Sequence, residues 1–137
     1  MVGRLPEDRK LERAEAHALD GQLLTSQHRF PEALEQFQQG LTISKTFMNR
    51  DNAELAYAHY RVGLALRITG DSKHGLAHYR EGEEILTRVR ERASDDSLKT
   101  RYGRALKQMF ESHAALFKQT GDVDAAADFE KRAASLN

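Results

Sequence analysis

His74 and His78, one helical turn apart, with Glu81 three residues later, are the side chains of this sequence best spaced to hold a metal ion. Imidazoles at positions i and i+4 share a helix face and can share a zinc ion. The chain has six histidines and no cysteine, however, so such a pair arises readily and no thiolate can complete a ligand set. No metal site and no cofactor are expected. The sequence also lacks a glycine-rich phosphate loop, a G-x-S-x-G elbow and an H-E-x-x-H pair, so it reads as non-enzymatic. His17 and His59 stand 42 residues apart at equivalent places, and packing against a neighbouring helix with one ring nitrogen hydrogen-bonded is the expected role of each.

A basic stretch holds Arg88, Arg90, Arg92, Lys99, Arg101, Arg104 and Lys107 against only Glu91, Asp95 and Asp96. Such a cluster could take phosphate groups or an acidic partner. Residues 88, 90 and 92 point around a helix and form no single stripe, so a solvated, ion-paired surface is the expected outcome. Over the whole chain 21 basic residues balance 21 acidic ones, which points to neither nucleic acid nor an anionic membrane as partner. The absence of cysteine suits a reducing compartment. No stretch is apolar enough for a membrane span and MVGRLPEDRK lacks a secretory core, so a cytoplasmic location is expected.

What positions these residues is an internal repeat. Gly21, Ala33, Phe37 and Gly40 recur as Gly63, Gly75, Tyr79 and Gly82 at a constant offset of 42 residues. Ala114, Ala126, Phe129 and Ala133 follow them more loosely, Phe129 falling one position early. Each copy carries a turn at the same place, HRFPEAL, TGDSKHGL or TGDVDAA, between two stretches of helical apolar spacing. The unit is a helix hairpin. Length and composition allow one domain of six helices over residues 1–137, with hairpins at about 7–49, 51–93 and 95–136. A hydrophobic share of 39% against 31% charged residues suits an elongated helical stack, with much surface for little core.

The punctuation sets the helix ends. Pro6, Glu7 and Asp8 suit the start of the first helix, and Pro31 the first turn of the second. Asp51 or Asn52 is placed to cap the third helix, Gly70 to end it, Asp71 and Ser72 to cap the fourth, and Ser94 to Asp96 to start the fifth. Gly121 ends the fifth helix and Asp122 starts the last. Glycine within a helix costs about 0.8–1 kcal/mol relative to alanine. The helical glycines therefore imply close backbone approach, with Gly21 facing Ala33 and Gly63 facing Gly75.

These small residues, turns and aromatics resemble the tetratricopeptide repeat family over about residues 11–136. The 42-residue unit exceeds the common repeat of 34 and is similar to the longer-helix variants of kinesin light chains and bacterial kinase tails. The resemblance implies an all-α, right-handed superhelical stack of three antiparallel helix hairpins, an α-solenoid. It also implies a scaffold for protein–protein interaction that takes a partner peptide or helix in a concave groove built by the first helix of each hairpin. Carried over residue by residue, that groove holds Tyr57, Tyr60, Arg61, Leu64 and Arg67 of the second copy. The first copy adds Glu15, Ala18, Gln22 and Thr25, and the third Gln108, Glu111, Ser112, Ala115 and Lys118. Ala18, Gln22 and Ser112 stand where one member type carries the residues that clamp a C-terminal carboxylate, so no clamp of that kind is expected. The rival expectation is a structural one, self-association through the terminal helices as a homo-oligomer or as part of a longer array.

Overall fold

The computed structural model describes residues 7–49 and 51–136. They form six helices: α1 (Glu7–Ser26), α2 (Phe30–Phe47), α3 (Ala53–Thr69), α4 (Ser72–Arg92), α5 (Asp96–Thr120) and α6 (Val123–Ala134). Pro6 lies outside the described residues. Each expected cap inside them is made locally. Asn52 Oδ1 accepts from the amides of Glu54 at 2.8 Å and Leu55 at 3.4 Å, while Asp71, Asp95 and Asp122 accept from His74, Ser97 and Ala125. Pro31 sits in the first turn of α2, where its missing N–H costs no helical hydrogen bond.

All three hairpins turn by the same backbone device. The amides of Arg29, Asp71 and Asp122 each donate five residues back, to Leu24, Leu66 and Phe117, at 2.8–2.9 Å. The residue just before must then adopt a left-handed conformation. Gly70 (φ 95°) and Gly121 (φ 88°) do so freely, but in the first hairpin the residue is His28, at φ 59°.

Helices pack most extensively within hairpins, then between α2 and α3 and between α4 and α5. Short connections leave consecutive helices antiparallel, and the result is an all-α solenoid. The core runs through Phe37, Leu41, Leu55, Val62, Leu66, Ile85, Leu86 and Met109, all buried. Full burial of one such side chain contributes roughly 1.5–3 kcal/mol.

The helical glycines explain how the hairpins close. A Cβ on Gly63 would stand 2.6 Å from the Tyr79 ring and 3.2 Å from the Gly75 carbonyl, so these two glycines do face each other. A Cβ on Gly21 would stand 2.5 Å from the ring of Phe37. Its nearest neighbour is thus Phe37, the counterpart of Tyr79, and not Ala33. An aromatic needs depth, and a bare backbone on the facing helix supplies it.

The third hairpin abandons that contact. Its counterpart of Gly63 is Ala114 and its counterpart of Tyr79, 51 residues on, is Glu130, which pairs with Lys118 at the surface. Phe129 is therefore no displaced copy of Tyr79. It occupies the preceding position, equivalent to Gln36 and His78, and meets Phe110 edge-on at 5.8 Å.

Candidate functional site

In all three hairpins the first helix faces the second through one side-chain pair 19 residues apart: His17–Gln36, His59–His78 and Phe110–Phe129. His17 Nδ1 lies 2.8 Å from Gln36 Oε1, and His59 Nδ1 lies 3.0 Å from His78 Nδ1. Both histidines thus pack with one nitrogen hydrogen-bonded, as their repeat position implies. Burial, then the neighbouring His78 and Lys45, pushes the His59 imidazole down to about 4. Burial, Lys45 and His74 push His78 down as well. His74 stays at the surface, its Nδ1 2.8 Å from Asp71 Oδ2. His74 is thus taken up by Asp71 and His78 by His59, and among the described residues no group of three or more His, Cys, Asp or Glu is placed to hold a metal ion.

A second polar cluster is enclosed between α4, α5 and α6. His113 Nδ1 donates to Glu83 Oε2 at 2.7 Å, and its ring stacks on Phe129 at 3.8 Å and Phe117 at 5.0 Å. Burial raises the Glu83 carboxyl, and the hydrogen bond from His113 opposes that shift. His113 Nε2 has no hydrogen-bond partner, which the Nδ1–H tautomer tolerates because Nε2 then carries only a lone pair. His113 is fully buried, so no substrate reaches it in the closed bundle. The pair ties three helices together; lying on turns of α4 and α5 with no counterpart in the other hairpins, it is invisible to repeat alignment.

The open concave surface lies between α1 and α3. α3 packs lightly on α5, whereas no comparable contact joins α1 to α3. Two adjoining cavities fill the gap. The first, about 390 Å³, is bounded by Gln22, Tyr57, Tyr60, Arg61, Leu64 and Ile68, and Phe30 and Thr25 close one side. The second, about 300 Å³, extends toward the start of α1 between Leu11, Glu15, Ala18, Leu19 and Glu54, and it shares Gln22, Phe37 and Arg61 with the first. Burial raises the Tyr57 and Tyr60 phenols, so both present neutral hydroxyls.

Five of the seven expected site residues come together here: Gln22, Tyr57, Tyr60, Arg61 and Leu64. Tyr60 also serves the fold, its hydroxyl 2.6 Å from Ser112 Oγ and its ring 5.7 Å from that of Tyr79. Arg67 and Lys118 lie outside the groove. Arg67 Nη1 reaches the Ser112 carbonyl at 3.5 Å, closing α3 on α5, and Lys118 turns to Glu130 on α6. Sequence reasoning missed Ile68, Leu11, Leu19 and Phe30. Ile68 continues the helix face of Arg61 and Leu64 by one turn and is 46% exposed, a signal that extending the three-and-four spacing would have caught.

No protein-family model matches the sequence, and no curated protein matches it in sequence. Its fold has solved counterparts. The TPR domain of Arabidopsis FLU superimposes with a TM-score of 0.74 at 15% identity, over 95% of this chain and 96% of that one. BtubC (BKLC) from P. vanneervenii superimposes with a TM-score of 0.53 at 16% identity, over 90% of this chain and 62% of that one. The chain's fold is that of a tetratricopeptide-like helical repeat. Among its described residues no helix is long and apolar enough to cross a membrane.

Proposed function

We propose that this tetratricopeptide-like repeat is a single-domain, non-catalytic interaction module, in which the groove between α1 and α3 receives a partner peptide or helix. The observation that carries this reading is the groove itself: an open apolar channel between two helices with no extensive packing on each other, with a guanidinium, Arg61, where its two parts meet. Tyrosine and arginine are the side chains that most often anchor interfaces. Apolar walls of Leu11, Leu19, Leu64 and Ile68 suit a segment with apolar side chains spaced one helical turn apart. The partner is protein rather than nucleic acid or membrane, in keeping with balanced charge, and absence of cysteine suits a cytoplasmic setting.

Arg61→Ala with Ile68→Ala tests the groove, because neither side chain belongs to the buried core. Affinity for a partner captured by pull-down should fall by about 2 kcal/mol, roughly thirtyfold, at an unchanged melting midpoint. Full affinity in the double variant refutes the assignment.

A second reading, self-association through a terminal helix, is favoured by Leu19 and Leu23, one turn apart on α1 and 65% and 57% exposed. Sedimentation of the purified chain decides it: a dimer that Leu23→Glu returns to monomer supports self-association, and a wild-type monomer refutes it.

A further inference from the structure

The basic stretch of residues 88–107 divides when the chain folds. Arg88 Nε donates to Asp51 Oδ1 at 2.8 Å and Arg92 pairs with the same carboxylate, so two guanidinium groups share one acid there. Arg90, between them in sequence, leaves α4 in another direction and lies against α5, where a Cβ on Gly103 would stand 3.2 Å from its Nε. On α5, Lys99, Gly103 and Lys107 recur every four residues, with Thr100 and Arg104 on the adjoining row, so all share one helix face. Arg90, Lys99, Arg104 and Lys107 thereby surround one cavity of about 590 Å³, with Asp96 the sole carboxylate on its wall among the described residues and Leu136 an apolar side.

The arrangement is electrostatically incomplete. Arg90, Lys99 and Arg104 have no acidic partner among the described residues. Arg90 Nε is shut off from solvent against Gly103 and has no hydrogen-bond partner, an unmet donor that costs stability. Like charges held around a cavity repel, and the repulsion weakens when an anion enters. Gly103 leaves room for the guanidinium to lie on α5, where any side chain would crowd it.

We propose that this pocket binds a small molecule bearing phosphate groups, its oxygens accepting from Arg90, Lys99 and Arg104. A phosphate presents several oxygens to donors approaching from different sides, and guanidinium groups can meet it with two parallel hydrogen bonds. The volume is that of a small-molecule site. The cations converge on one hollow instead of running along a surface, which argues against a nucleic-acid strand. The site is independent of the α1–α3 groove and shares no residue with it.

Inorganic pyrophosphate is the probe, titrated calorimetrically into the full chain at an ionic strength of about 0.1 M, where long-range attraction is screened. Saturable one-site binding is expected. Lys99→Ala with Arg104→Ala removes two exposed side chains and should weaken it about a hundredfold, about tenfold for each charge-assisted contact, without moving the melting midpoint. Arg61→Ala, in the other groove, should leave it unchanged. Absence of saturable binding by the wild type, equal binding by the double variant, or citrate binding as tightly as pyrophosphate overturns the proposal.

Discussion

Acidification should destabilise this protein through the pair His59–His78, and the magnitude follows from where the pair sits. His59 is 6% exposed and its imidazole is held down to about 4, against an ordinary value of 6.5 in the unfolded chain. A depressed folded value means that the unfolded chain takes up the proton first. The contribution is therefore fully present above pH 6.5 and is lost as pH falls through about 4. Between neutrality and pH 5 the linkage amounts to about 2 kcal/mol for His59 alone, and His78, shifted in the same direction, adds to it. Protonating both rings would also set two cations at a 3.0 Å contact in which one nitrogen must accept. The assay is urea unfolding at neutral pH and at pH 5. His59→Phe with His78→Phe installs the pair that the third hairpin carries as Phe110 and Phe129. Comparing pH slopes, rather than absolute stabilities, removes any repacking cost and the contributions of the other histidines. The variant's slope should be shallower by about 2 kcal/mol or more over this range. Equal slopes would refute the coupling of burial to protonation at this pair.

Gly63→Ala should lower the urea midpoint, since its Cβ would meet the buried Tyr79 ring at 2.6 Å and overpacking of about 1–3 kcal/mol outweighs the gain in helix propensity; Gly75→Leu, against the Gly63 carbonyl, should cost more. An unchanged midpoint in both would mean that α3 and α4 do not approach there. His28→Gly relieves a left-handed residue at φ 59° and should raise stability by about 0.5–1 kcal/mol in thermal melts, whereas a loss would show that its side chain outweighs the strain. His113→Ala leaves the buried Glu83 carboxyl without its hydrogen-bond donor and should cost about 1–3 kcal/mol at neutral pH beyond the lost packing, partly recovered by adding Glu83→Gln. No recovery would mean that lost packing against Phe129, and not the stranded carboxylate, sets the cost.

Much of the architecture was legible because it rests on local chemistry. Caps at Asn52, Asp71 and Asp122 and left-handed turns at Gly70 and Gly121 involve partners within a few residues, so residue type alone decides them. His28 could have been aligned with Gly70 by the 42-residue offset, although a histidine does not announce a left-handed turn. The same offset links Gln36 to His78, and a further 51 residues reach Phe129. The pairings 19 residues apart stayed hidden because their chemistry changes from amide to imidazole to phenyl.

The candidate groove was half legible. Spacing by threes and fours put Tyr57, Tyr60, Arg61, Leu64 and Arg67 on one stripe of α3, but a stripe on a helix has two flanks. Which flank is covered depends on how neighbouring hairpins lean. α5 leans onto α3, so Arg67 is taken up by the Ser112 carbonyl, while α1 stands off and leaves Arg61 and Leu64 facing a cavity.

By itself, then, the sequence determined the number of helices, their ends, the repeat and the close approach of Gly63 to Gly75. Each of these follows from bonds and contacts within one hairpin. Tertiary structure alone decided that Arg88 and Arg92 share Asp51 while Arg90 turns to Gly103, that Glu83 meets His113 inside the stack, and that the open groove lies between the first two hairpins. Those outcomes rest on angles between hairpins, which are summed over many small contacts and carried by no single residue type.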